Sequence, residues 1–116
     1  MTHAEAARKF ATARNPNDGK PLQNNTRLHK RGNDYAVRLH STDVVTIHAN
    51  GTYTLNTGGW YSRTTKERIN EYSPARAYQL RGKWYIGVAV PFFDGIRVDA
   101  HGREIVTRSQ QTLFAA

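Results

Sequence analysis

Apolar and polar residues change their period along the chain, and each change marks an element. At the start, Thr2 is followed three residues later by Glu5, the spacing of a capping box. An Ala-rich run then continues to Arg14, where Asn15-Pro16 stops it. The pattern predicts an N-terminal helix with an apolar face of alanines plus Phe10. Such a face buries little area, so the expectation is a helical arm, docked through Phe10 or frayed, with "NPNDGKP" as turn and hinge.

From Asn25 the period becomes two. Thr26 to Lys30, the turn "RGND" and the alternation Tyr35, Val37, Leu39 predict a hairpin whose second strand points Arg38 and His40 away from the core. The alternation resumes at Val45 and Ile47, with Ser41-Thr42-Asp43 marking a bulge or break, and Tyr53 and Leu55 follow the next turn. Parity decides the form of that turn. A two-residue Asn50-Gly51 loop sets His48 opposite Tyr53 and puts the two apolar pairs on different faces. A three-residue Ala49-Asn50-Gly51 loop with left-handed Gly51 sets Ile47 opposite Tyr53 and Val45 opposite Leu55, so burial selects it.

Next comes "GGWYSRTTKERIN", Gly58 to Asn70. Thr64 with Glu67 has capping-box spacing, which predicts a helix from about Thr65 to just before Ser73-Pro74. Ile69 and Tyr72 are spaced to face the core, leaving Lys66 and Arg68 to solvent. A helix of this length needs a sheet to hold it. Tyr78 and Leu80, a turn at Arg81-Gly82-Lys83, and Trp84, Ile86 and Val88 predict another hairpin, ended or edged by Pro91. Phe92-Phe93 are read as a plug for one end of the core, Ile96 to Val98 as a strong strand and Glu104 to Thr107 as a weak one. The expected fold is α+β, an antiparallel sheet of five or six strands with one short packed central helix. Its organisation is an arm and linker over residues 1–24, a domain over 25–108 and a tail over 109–116.

Composition narrows the function. The 116 residues include twelve aromatics and no cysteine, which suits one folded domain and removes disulfides, thiolate metal sites and thiol nucleophiles. No apolar run is long enough to span a membrane, and the opening residues lack the apolar segment of a secretory signal. Seventeen Lys and Arg against nine Asp and Glu give a net charge of +8. The excess lies in two blocks, Met1 to His40 and Arg63 to Val90. Brought to one face, these blocks would attract a polyanion.

"TDVVT" (Thr42 to Thr46), "GTYTLNTGGW" (Gly51 to Trp60) and "TTKERIN" (Thr64 to Asn70), with "AYQLRGKWYIG" and "PFFDGIRV", resemble a family of small tailed-phage and prophage proteins with no established activity. The likeness covers about two-thirds of the chain and leaves out the N-terminal helix and the tail. It implies expression in the cytoplasm of a bacterial host, and it brings no catalytic residue with it.

Candidate chemistry is therefore binding chemistry. The N-terminus of the central helix, with Arg63, Thr65 and Lys66, is a candidate phosphate site, although a capping box satisfies such donors by itself. Arg68, Arg76, Arg81 and Lys83 extend the positive surface. Of Trp60 and Tyr61, which alternate in facing, one is expected in the core and the other free to stack on a base, and Tyr61 is taken as the binding residue. The five histidines lack metal-ligand spacing, and Asp94, Asp99 and His101 fit two turns better than a calcium loop. Asp43, Glu67 and Lys66 do not form the paired carboxylates of a metal-dependent nuclease. No catalytic residue, metal or cofactor is assigned. The expected function is non-catalytic binding of nucleic acid, DNA or RNA, or of another polyanion. The alternatives are an inhibitor or host-takeover protein docking on a bacterial (defence) protein complex, and a small enzyme or nucleotide binder.

Overall fold

The computed structural model describes residues 1–106, so the proposed tail and the end of the weak last strand lie outside the described residues. Helix α1 spans His3–Phe10, and both halves of its capping box form: the Glu5 N–H donates to Thr2 Oγ1 (3.1 Å) and the Thr2 N–H to Glu5 Oε1 (3.3 Å). The helix is docked. Ala6 is fully buried, the His3 and Phe10 rings lie 5.1 and 5.8 Å from that of Tyr35, and the Tyr53 hydroxyl donates to the Met1 carbonyl at 3.0 Å. A 3-10 turn at Pro16–Asp18 leads into strand β1 (Lys20–Gln23), where the sequence reading had only linker.

Strands β2 (Thr26–Arg31), β3 (Asp34–Leu39), β4 (Thr42–Ile47) and β5 (Tyr53–Leu55) continue as an antiparallel meander. The break expected near Ser41 is a tight turn with His40 at φ +53°. The irregularity in β4 lies one residue beyond the expected stretch, at Val44. Val37 pairs with Val45 but Arg38 with Asp43, so the extra residue lets two adjacent valines both be buried. Between β4 and β5 the register is Ile47 to Tyr53 and Val45 to Leu55, with Gly51 at φ +87°, the three-residue turn that parity selects.

Helix α2 (Arg63–Tyr72) packs on the inner face of this sheet through Ile69 and Tyr72. Strands β6 (Ala77–Leu80), β7 (Lys83–Ile86) and β8 (Val90–Pro91) form a second, three-stranded antiparallel sheet, where a single sheet had been expected. Strand β9 (Ile96–Val98) then returns to pair with β5, completing a six-stranded sheet in the order β1-β2-β3-β4-β5-β9, and Val98 makes an isolated bridge to Glu104. In the small sheet Ala77, Trp84 and Ile86 face the core, whereas Tyr78 stacks on Tyr85 on the outer side. Leu80 and Val88, apolar residues of the predicted hairpin, are exposed, Val88 by 95%. Leu80 shares the outer face with Tyr78, and Val88 falls in the turn after β7 instead of within the strand.

One layer is thus the six-stranded sheet. The other is made of α1, α2 and the small sheet. The core between them is built from Leu28, Val37, Val45, Ile47, Leu55, Ile69, Ile86, Ile96 and Val98, all essentially without exposure.

Candidate nucleic-acid interface

The loop from Thr57 to Ser62 sets one wall of the site. The Thr57 N–H and hydroxyl both lie 2.7 Å from Asp94 Oδ1, which fixes the loop to the turn before β9. Gly58 (φ +62°) passes so close to Thr42 that a Cβ would stand 2.5 Å from Thr42 Oγ1, and Gly59 follows at φ +88°. The chain therefore reverses sharply and delivers two aromatics to the surface. Trp60 is 70% and Tyr61 53% exposed, so neither is the core anchor expected of one of them.

Tyr61 does have neighbours. Its ring meets Trp84 edge-on at 5.1 Å and Phe92 at 6.3 Å, while Trp84 and Phe92 are 5.6 Å apart. These three rings, with Lys83 and Tyr85, line an open groove of about 610 Å³ beside the small sheet. The Lys66 ammonium lies 5.7 Å from the Trp84 ring centroid, a cation–π arrangement that holds positive charge against the aromatic cluster. Trp60 lies apart, on a second hollow of about 450 Å³ shared with Leu39, Thr42, Val44 and Ser62.

The other candidate residues fall in different places. Arg81 sits at φ +52° in the β6–β7 turn, next to Gly82 of the groove, but Arg76 precedes the other end of β6, where its carbonyl accepts from the Gly87 N–H. Arg63 is inside α2 and pairs with Glu67 at 3.1 Å, both well exposed. That pair replaces the expected Thr64–Glu67 capping box. The cap is Ser62, whose Oγ accepts from the Thr65 N–H at 3.1 Å. Thr65 is only 2% exposed, with its hydroxyl 3.0 Å from that of Ser62, and is therefore part of the cap instead of an open anion site.

Lys66 and Arg68 were both expected on the solvent side. Two residues apart on a helix, they point to opposite flanks and both are half-buried. Lys66 faces the aromatic groove, and Arg68 donates from Nε to Thr26 Oγ1 (2.9 Å) on the β2 side.

Convergence of the two basic blocks on one flank is likewise corrected. Strand alternation turns Arg27, Arg31 and Arg38 away from Leu28, Val37 and Leu39, which are buried under the helical layer. These arginines occupy the outer face of the large sheet, opposite the groove. The alternation had already placed Arg38 outward. Arg27 and Arg31 were missed, although the same alternation about Leu28 places them outward. Among the described residues, no group of three or more His, Cys, Asp or Glu is disposed to hold a metal.

The chain folds as a two-layer α+β domain with an open groove lined by aromatic rings and Lys83. The chain belongs to the Kyanoviridae Gp96 protein family, a phage family whose model matches residues 3–99. No curated protein and no solved structure matches it. Among the described residues, no helix is long and apolar enough to cross a membrane.

Proposed function

We propose that this phage protein is a non-catalytic accessory factor that binds nucleic acid, DNA or RNA, in the cytoplasm of the infected bacterium, seating unpaired bases in the groove. The observation that carries this reading is the Tyr61–Trp84–Phe92 cluster with Lys66 and Lys83 beside it. Every base has a π face, so aromatic stacking accepts any sequence, and neighbouring ammonium groups attract the backbone. The half-exposed Tyr61 offers a ring to stack on; Arg81 extends the positive edge. Arg63, Arg68 and Arg76 add long-range charge, and Thr65 acts only by holding the helix end.

The test is fluorescence anisotropy with a labelled single-stranded oligonucleotide at several salt concentrations. If some five phosphates are contacted, log K falls with log salt at a slope of about −3.5. Tyr61→Ala is expected to weaken binding by about 1 kcal/mol or more, the low end for loss of one stacked base, and Lys66→Gln with Lys83→Gln to flatten the slope. A salt-independent affinity, or unchanged binding in Tyr61→Ala, would reject the reading.

A second reading is favoured by the exposure of Trp60 away from the groove, since an exposed indole is a common anchor of protein interfaces. In it the partner is a bacterial host protein, as for an inhibitor of a defence complex. A stoichiometric host protein recovered after nuclease treatment and released by Trp60→Ala would support it over the first.

A further inference from the structure

On the outer face of the large sheet, Arg27 and Arg38 stand directly opposite each other in the β2–β3 pair. Like charges in that position destabilise a sheet unless something neutralises them. Among the described residues neither arginine forms an ion pair with a carboxylate. Asp43, opposite Arg38 in β4, is held by Arg31 in a two-pronged pair of 3.0 and 3.2 Å. Asp18 accepts from Asn15 Nδ2 at 2.8 Å. Arg27 and Arg38 donate instead to main-chain oxygens, Arg27 Nη1 to Asp18 (3.3 Å) and Arg38 Nε to His40 (3.2 Å). One N–H of each guanidinium thus fixes its place, and among the described residues the remaining donors have no partner.

These two arginines, with His29, His40, Asn17 and Asn25, line an open cleft of about 360 Å³ that Asp18 also borders. His29 is seated against Gly19, where φ is +78° and a Cβ would stand 2.8 Å from its Nε2. We propose that this cleft is a phosphate-binding site that takes phosphodiester groups of a nucleic-acid strand between Arg27 and Arg38. Phosphate oxygens accept the parallel N–H pairs that guanidinium presents, and one bound phosphate offsets the repulsion that the sheet otherwise carries. The site lies on the face opposite the aromatic groove and does not depend on it.

The histidine reports the local field. Partial burial, then the charges of Arg31 and Arg38, opposed by Asp43 and with a lesser effect of Arg27, hold its imidazole below the usual range. The groups facing it are Arg27 and Arg31 on β2, Arg38 and His40 at the end of β3, Asp43 on β4 and Asp18 of the 3-10 turn. A phosphate among them favours the imidazolium, so binding is expected to tighten as pH falls through the titration of His29, and His29→Gln to remove that increment.

The deciding experiment follows the arginine Nε–H and histidine ring signals by NMR during titration of the full chain with a short oligothymidylate and, separately, with inorganic phosphate. The oligonucleotide should move the Arg27 and Arg38 signals and raise the His29 titration midpoint. In Arg27→Gln/Arg38→Gln, the log–log salt slope for oligonucleotide binding should shrink by about 1.4, two single-strand contacts. The thermal melt of that variant should not fall, since a like-charge pair has been removed. Groove signals that respond while Arg27 and Arg38 stay still would overturn this site and leave the groove reading intact. A response to inorganic phosphate without one to the oligonucleotide would make it a free-anion site and overturn the nucleic-acid assignment. Shifted arginine signals with silent groove residues would reject the groove alone.

Discussion

His48 and Asp34 tie the ends of two hairpins together. His48 Nδ1 lies 2.9 Å from Asp34 Oδ2, the Ala49 N–H donates to Asp34 Oδ1 at 3.0 Å, and His48 Nε2 lies 2.7 Å from Thr54 Oγ1. The hydrogen bond from His48, then that from Ala49, holds the Asp34 carboxyl below its usual range. The folded value is the lower one, so this carboxylate stabilises the fold fully above the unfolded value of about 3.9. The contribution is lost as pH falls through the depressed value. Asp34→Asn should therefore be less stable than the parent near neutral pH, with the difference closing in acid as the carboxylate protonates; urea melts at neutral and acid pH measure it. The strand alternation made the Val45–Leu55 pairing readable, but this polar clasp was not, because it joins residues whose approach depends on the register of three strands.

At the scale of the element, α2 begins where its cap is, and that cap is Ser62 instead of the Thr64 that the sequence spacing predicts. Thr64 with Glu67 has the better spacing motif, yet Ser62 makes the bond, and Glu67 is drawn to Arg63 one turn before it. The loop geometry decides: Trp60 and Ser62 are held by a succession of hydrogen bonds from Thr57 onward, which starts the helix two residues early. Ser62→Ala is expected to cost about 1 kcal/mol, the usual loss for a helix N-cap, whereas Thr64→Ala should be near neutral. Comparing their denaturation midpoints separates the two assignments. The far end of α2 was easier to read. Proline restrains the residue before it wherever the helix packs, and Ser73 closes the helix with a hydroxyl bond of 2.7 Å to the Ile69 carbonyl.

Across the whole molecule, α1 is docked as part of the core layer, the first of the two states that its Ala-rich face left open. Its amphipathic face is small in area, but Met1 and Phe10 pack against the buried cluster and the terminal ammonium donates to the Tyr72 carbonyl at 3.1 Å. Phe10→Ala should destabilise the protein by about 1–2 kcal/mol, less than the roughly 3–5 kcal/mol of a fully buried phenylalanine, because its ring is half-buried. Chemical denaturation gives the value, and faster amide exchange in β2 and β3 would localise the loss. Charge behaves differently at this scale. Among the described residues, positive side chains stand on both faces of the sandwich. Strand parity and helix period assign a side chain to a face, but only the packing of the layers says which faces meet.

The sequence by itself determined the local geometry: a period of two across the meander, the parity that forces a three-residue turn before Tyr53, the stop at Ser73-Pro74 and the excess of positive charge. These follow from backbone stereochemistry and from burial of one face, which need only neighbouring residues. The tertiary structure alone decided that β6 to β8 leave the main sheet, that Asp94 anchors the loop leading to the Ser62 cap, and that Tyr61 joins Trp84 and Phe92. Each of these depends on segments far apart in the chain competing for the same space, and no short-range pattern records the outcome of that competition.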